Sequence, residues 1–233
     1  MEEQKFPQNL TPFAILAGAL LIAGAILYAG GVDLAPRGTA DLSPPEEAQA
    51  SQPDAAGEPF VGSQDAPLTL FYWSDFQCFY CKNFEQETLP FLVKEYVDTG
   101  KLRIVFKDLQ FLGLGSFVAG LASKAVWETT PERYLEWHEA MFAKQGAENG
   151  GWSSREDILA ITEELGIDKE RIGRLMEEKE AEYGAEQEED QKEAQRFGIT
   201  GAPGFILGSS EISGARPLAE FQAAIEAELK GKE

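Results

Sequence analysis

Two cysteines three residues apart, Cys78 and Cys81, are the side chains here whose type and spacing best suit chemistry. They are the only cysteines in the chain, and two placed at random would fall at that spacing roughly once in a hundred chains of this length. With no third cysteine there is no framework of structural disulfides. The pair is therefore either a redox centre or half of a metal site. Zinc takes four ligands, usually from a second such pair or from two histidines, and this chain offers only His138. Thiol–disulfide exchange is the chemistry that lacks no component.

The surrounding elements decide which sulfur is reactive. Leu68–Trp73 is a short apolar and aromatic run bounded by Pro67 and by Ser74-Asp75, which predicts a buried strand. Downstream, Phe84, Leu89, Leu92 and Val93 lie at helical spacing, with Pro90 expected to kink the helix. Cys78 then stands at a helix entrance directly after a strand, with Cys81 one turn in. Unpaired N–H groups and the positive end of the helix dipole favour a thiolate there. Cys78 is thus the expected attacking sulfur, and Cys81, deeper on the same face, the one that resolves a mixed disulfide.

The rest of the chain supplies a scaffold. Lys101–Asp108 reads as a second strand, and a mainly helical block follows. In it, Phe117–Trp127 has helical spacing, Pro131 opens a helix through Phe142, and Ser153 or Ser154 caps another that Gly166 ends. Asp168–Phe197 reads as helical, and its acidic run Glu177–Asp190 as a solvated face. Gly204–Leu207 and Glu211–Ser213 form a hairpin about Gly208-Ser209-Ser210, and Pro217–Lys230 is an amphipathic helix. The order is strand, helix, strand, helical block, two strands, helix: an α/β domain with a helical insert over about 113–197.

The formal net charge of −20 and the absence of a basic stripe speak against nucleic acid as a partner. Phe6–Val32 carries no charged residue, and the mostly apolar stretch 10–32 is long enough to span a bilayer. A cleaved signal peptide has a shorter apolar region behind a basic start, whereas this chain begins with Glu2, Glu3 and Lys5. An uncleaved transmembrane anchor over 10–32 is expected, after a short tail at 1–9. Residues 33–58, rich in Pro, Ala and Glu without apolar periodicity, are expected to form a flexible stalk, and 59–233 the folded domain.

Ser74-Asp75-Phe76-Gln77-Cys78 leading to Cys81-Lys82 and Phe84-Glu85, then Trp137-His138 with Met141-Phe142, and Gly198-Ile199-Thr200-Gly201-Ala202-Pro203 carry a resemblance. Over nearly all of Phe60–Leu229 the chain resembles the DsbA-like branch of the thioredoxin superfamily, in its membrane-tethered bacterial and archaeal form. That resemblance implies a thioredoxin-like fold preceded by one transmembrane helix. It implies a cis-proline at Pro203 facing the active site, and that Ala202 offers backbone groups to an extended substrate peptide. Two positions depart from the usual pattern. Phe79 stands where proline often follows the first cysteine, and Ala202 where Thr or Val is usual. No histidine lies between the cysteines.

The function implied is dithiol–disulfide exchange with cysteine pairs of exported proteins, on the exoplasmic side of the cell membrane, most simply as a disulfide-forming oxidant. A separate redox partner must regenerate the pair, and no cofactor or metal is expected. The alternatives are a reductase or isomerase, or a non-catalytic thioredoxin-fold binding module. Among other residues, His138 reads as a packed structural side chain and Asp75 as a turn or helix-entry cap. Lys107 has a weak claim as an electrostatic partner of the cysteines, and Tyr72 and Trp73 read as core.

Overall fold

The structure, a computed structural model, describes residues 52–231. The expected anchor at 10–32, the tail before it and most of the expected stalk lie outside the described residues. Among the described residues no helix is long and apolar enough to cross a membrane.

Five strands form one sheet in the order β1-β3-β2-β4-β5. β2 (Leu68–Ser74) and β3 (Leu102–Asp108) run parallel at its centre, in register from Leu68↔Leu102 to Ser74↔Asp108. β4 (Gly204–Leu207) pairs antiparallel with β2, and β5 (Ser210–Ser213) with β4. At the other edge β1 (Phe60–Val61) pairs antiparallel with β3. Successive side chains of a strand point to opposite faces. Leu68, Leu70 and Tyr72 therefore join Leu102, Ile104, Phe106, Phe205 and Leu207 in the main core, while Phe71, Trp73, Val105 and Ile206 build a smaller core behind the sheet. Burial on both faces is why β2 reads as a continuous apolar run.

The helix after β2 is broken rather than kinked. α1 (Phe79–Glu87) stops, and Pro90 occupies the first turn of a new short helix, α2 (Leu89–Leu92), where its missing N–H costs nothing. A π-turn at Val93–Val97 leads on to β3. The insert contains α3 (Leu114–Thr129), α4 (Tyr134–Lys144), α5 (Arg155–Glu164), α6 (Lys169–Glu178) and α7 (Glu180–Arg196). Ser154 starts α5 with a reciprocal capping box to Asp157, and Gly166 follows its end at φ 70°. The stretch expected as one helix from Asp168 is two, parted at Lys179 (φ −112°, ψ 17°). α8 (Leu218–Lys230) completes the chain against the main core through Phe221 and Ile225.

α7 covers the rear face, its Asp190 carbonyl accepting the Trp73 indole N–H at 3.1 Å. The acidic side chains of the run Glu177–Asp190 are exposed as expected up to Glu189. Its last member Asp190, and Glu193 beyond it, are buried instead, because two buried lysines draw them in. Lys107 Nζ lies 2.6 Å from Asp190, 3.0 Å from Glu193 and 3.1 Å from Glu58; Lys124 Nζ lies 2.7 Å from Glu58 and 3.5 Å from Asp190. Lys107 is thus committed to this rear cluster. The stalk expectation changes for the same reason. Lys107 Nζ donates to the Asp54 carbonyl, Asp54 N–H donates to Glu193, and Glu58 bridges both lysines, so the chain is fixed to the domain from Asp54 onward.

Removing one member of a buried ion cluster strands its partners. Lys107→Ala is therefore expected to destabilise the protein by about 3–5 kcal/mol in urea unfolding. Burial, and next Asp190, raise the Glu58 carboxyl from 4.5 to about 7, so the folded state binds this proton more tightly than the unfolded chain does. Its stabilising share is complete below about 4.5 and is lost as pH rises through about 7. Glu58→Gln should therefore make the stability profile over that window less steep, which unfolding curves at several pH values will read.

Candidate active site

The sheet ends at Ser74, and the next four residues turn the chain into α1. Cys78 N–H donates to the Asp75 carbonyl at 2.9 Å, and Cys78 itself, extended at φ −73° and ψ 119°, is the N-cap of the helix. Its Sγ accepts the Cys81 N–H at 3.4 Å, so a sulfur does the work a serine or aspartate oxygen does at an ordinary helix start. Cys78 keeps 6% of its surface exposed and Cys81 none, which decides which sulfur an incoming thiolate reaches.

The two thiols are driven apart in acidity. Cys78 falls from 9.0 to about 7, chiefly because the Cys81 thiol donates to it, helped by the N–H groups of Cys81 and Tyr80; burial and the charge of Asp75 oppose the shift. Cys81 is pushed well above its ordinary value, first by burial and then by its hydrogen bond to Cys78. One sulfur is a thiolate near neutrality and its neighbour a thiol.

Asp75, read from the sequence as a turn or entry cap, holds the turn together. Its Oδ1 accepts Gln77 N–H at 2.7 Å and the Ser116 hydroxyl at 2.6 Å; its Oδ2 accepts the N–H groups of Phe111 and Leu112 at 2.8 and 2.9 Å. Three amides complete the frame. Gln77 donates to the Leu112 carbonyl and to Ser116, and accepts Asn149 N–H. Gln145, at the end of α4, donates to the carbonyls of Phe76 and Cys78 at 2.7 and 3.0 Å. Gln110 accepts Phe76 N–H. The sequence analysis did not single out Gln110, Ser116 or Gln145. Gln145 donates across 67 residues to Cys78, a relation that no local pattern encodes.

On the facing side the Ala202–Pro203 peptide bond is cis, and the Ala202 carbonyl lies 3.4 Å from Cys78 Sγ, which donates to it. The Pro203 carbonyl accepts Gly214 N–H at 2.9 Å, tying this loop to the end of β5. A groove beside it is lined by Tyr80, Ala202, Ser213, Ala215 and Arg216. Phe79 and Tyr80 on α1, Phe111 in the loop before α3 and Leu114 at its start are large apolar side chains left exposed. His138 is buried among Tyr72, Phe76, Phe106, Tyr134 and Phe142, with Nδ1 3.4 Å from Glu85. Among the described residues no group of three or more His, Cys, Asp or Glu side chains is placed to hold a metal ion.

The sequence pattern of the thioredoxin family matches residues 54–227. Disulfide bond formation protein D of Bacillus subtilis is 29% identical over 196 residues, which are 80% of this chain and 83% of that protein. The crystal structure of oxidised BdbD from Bacillus subtilis has a TM-score of 0.70 at 29% identity, covering 77% of this chain and 96% of that one. DsbA from Chlamydia trachomatis, at 19% identity over 78% of this chain and 95% of its own, has a TM-score of 0.68 and shares the fold.

Alkylation of the reduced protein should modify Cys78 alone at neutral pH. Its rate should be half-maximal at about pH 7 and fall about tenfold for each unit below that, following the thiolate fraction. Mass spectrometry of the alkylated peptide, collected across a pH series, checks both statements.

Proposed function

Because this chain belongs to the thioredoxin family, we propose that its Cys78–Cys81 pair forms disulfides in exported proteins on the exoplasmic side of the cell membrane. The chain is a protein-disulfide oxidoreductase of the DsbA/BdbD type. The observation that carries the proposed roles is the split between its two sulfurs: one partly exposed and acidic, the other enclosed and held as a thiol.

The exchange follows from that split. A substrate thiolate attacks Cys78 of the oxidised pair, the bond to Cys81 breaks, and Cys81 takes up a proton. A second substrate thiolate then attacks its own sulfur in the mixed disulfide and expels Cys78, whose lowered proton affinity makes it the better leaving group. The substrate leaves oxidised by two electrons and the enzyme reduced. A separate redox partner returns the pair to the disulfide. Ala202 and Pro203 bind the substrate: the backbone at Ala202, 3.4 Å from Cys78, meets an extended peptide, and the exposed rings of Phe79 and Tyr80 give its apolar side chains a surface. A membrane anchor at 10–32 keeps the domain near emerging chains. The disulfide-forming direction agrees with the names of the Bacillus relatives.

One observation favours a second reading. Cys78 is lowered only to about 7, a value typical of thioredoxin, whereas a strong oxidant of the DsbA kind has about 3.5. A reductase or isomerase would use the same site with electrons flowing the other way. Equilibrating the protein with glutathione buffers separates the two. A reduction potential near about −120 mV marks an oxidant, and one near about −270 mV a reductant. In either case Cys78→Ser should abolish exchange and Cys81→Ala should accumulate a mixed disulfide with substrate. Full exchange activity in Cys78→Ser would instead mark a binding module.

A further inference from the structure

The groove beside Pro203 carries a charge opposite to that of the protein as a whole. The chain has 40 acidic and 20 basic residues, yet the one charged side chain lining this groove is Arg216. Elsewhere Lys107, Lys124, Lys144, Lys179 and Lys192 each pair with a carboxylate. Arg216 forms no ion pair among the described residues. Its Nε donates to the Ser213 carbonyl at 3.0 Å, and that is the one hydrogen bond of its side chain.

The backbone fixes where this guanidinium stands. The Pro203 carbonyl accepts Gly214 N–H at 2.9 Å, and the Gly214 carbonyl accepts Arg216 N–H at 2.9 Å. Gly214 has a φ of 77°, which glycine adopts without strain, and the turn it makes returns the Arg216 side chain to the end of β5. Three hydrogen bonds therefore tie Arg216 to the cis-proline loop, whose Ala202 carbonyl lies 3.4 Å from Cys78 Sγ. A guanidinium has five N–H donors in a rigid fork. With Nε committed to Ser213, the donors of the two terminal nitrogens remain, and their geometry matches a carboxylate.

The groove also has a direction. Its first section, of about 300 Å³, shares Tyr80, Ala215 and Arg216 with a second of about 450 Å³. The second section runs between α1 and the start of α8, past Asn83 and Leu218, and Glu87 lines it. Glu87 is the last residue of α1, about 13 Å along the helix axis from Cys78. Arg216 stands where the sections join, and the section that holds Ala202 contains no carboxylate.

We propose that Arg216 selects the substrate by binding the carboxylate of an aspartate or glutamate a few residues from the reactive cysteine of an extended peptide. This rests on thiol–disulfide exchange at Cys78 and on peptide binding at Ala202 and Pro203. Arg216 holds the peptide and takes no part in the transfer of electrons. Charge complementarity sets the preference. An acidic side chain close to the cysteine meets the open fork, whereas one further along the groove meets Glu87 and is repelled. A basic side chain is drawn toward the protein by its net charge of −20, but at this position it faces Arg216.

The test uses the full oxidised chain in detergent micelles and synthetic peptides that each contain a cysteine pair. The peptides are identical except at one position, which holds Glu, Gln or Lys and is moved from one to four residues on either side of the attacking cysteine. Peptide oxidation is followed by stopped flow at low ionic strength. At the matching position the Glu peptide should react about fivefold faster than the Gln peptide, the upper range for an exposed ion pair, and the Lys peptide more slowly. Added salt should flatten this difference, since exposed charges are screened. In Arg216→Gln the Glu-to-Gln ratio should fall to the value the same peptides give with a small neutral disulfide. In Arg216→Glu the order should reverse in favour of Lys. Each variant is read as a ratio between two peptides, which cancels any loss of folded protein. A Glu-to-Gln ratio unchanged by Arg216→Gln overturns the proposal. So does the lack of any position at which the unmutated chain prefers Glu, since net charge alone favours Lys throughout. An unmutated chain that oxidises none of the peptides counts against the exchange function itself, and the proposal falls with it.

Discussion

The carboxylate of Asp75, enclosed and accepting four hydrogen bonds, is the interaction on which the active end of the sheet depends. Each oxygen has a different task. Oδ1 shapes the turn that delivers Cys78 to the N-cap of α1, and Oδ2 gathers the two backbone amides that start the loop toward α3. Removing it would release two loops at once. Its negative charge also opposes ionisation of Cys78, which limits how far the helix entrance can lower that thiol.

From this turn the two sulfurs inherit opposite surroundings. Cys78 collects donors, while Cys81, one turn on, meets the aromatic floor built by Tyr72, Phe76, Phe84 and His138. A single helical turn is enough to separate a nucleophile from a protected thiol because the first sulfur lies at the helix end, where it collects unpaired N–H groups, and the second is enclosed in the core.

Much of this was legible in the sequence, for identifiable reasons. β2 and β3 carry mostly apolar residues because both faces are covered, and the pair Cys78–Cys81 falls where strand gives way to helix. The Ser154 capping box and Gly166 mark α5 by local chemistry alone. The two residues of β1 are too few to show a period, and the split of α6 from α7 occurs at Lys179 without proline or glycine to signal it. Most opaque were the long-range polar contacts. Asp190 ends a run of acids that reads as solvated and Glu193 follows it, and only the arrival of Lys107 from β3 and Lys124 from α3 draws them inward. Tyr72 and His138 read as packed side chains in the sequence and Glu85 only as part of a motif; folding buries Glu85 beside His138, 3.4 Å away.

The fastening of Asp54 and Glu58 to Lys107 and Lys124 has a mechanical meaning. Tension arriving along the chain from its N-terminal side is borne by charged side chains at the rear of the sheet and by the two-residue edge strand, whereas the turn at Cys78 hangs from β2, two strands in from that edge. The reactive turn is thus insulated from pulling. A pull on the chain ahead of Asp54 is met at the rear of the sheet, away from the contacts that set the acidity of Cys78.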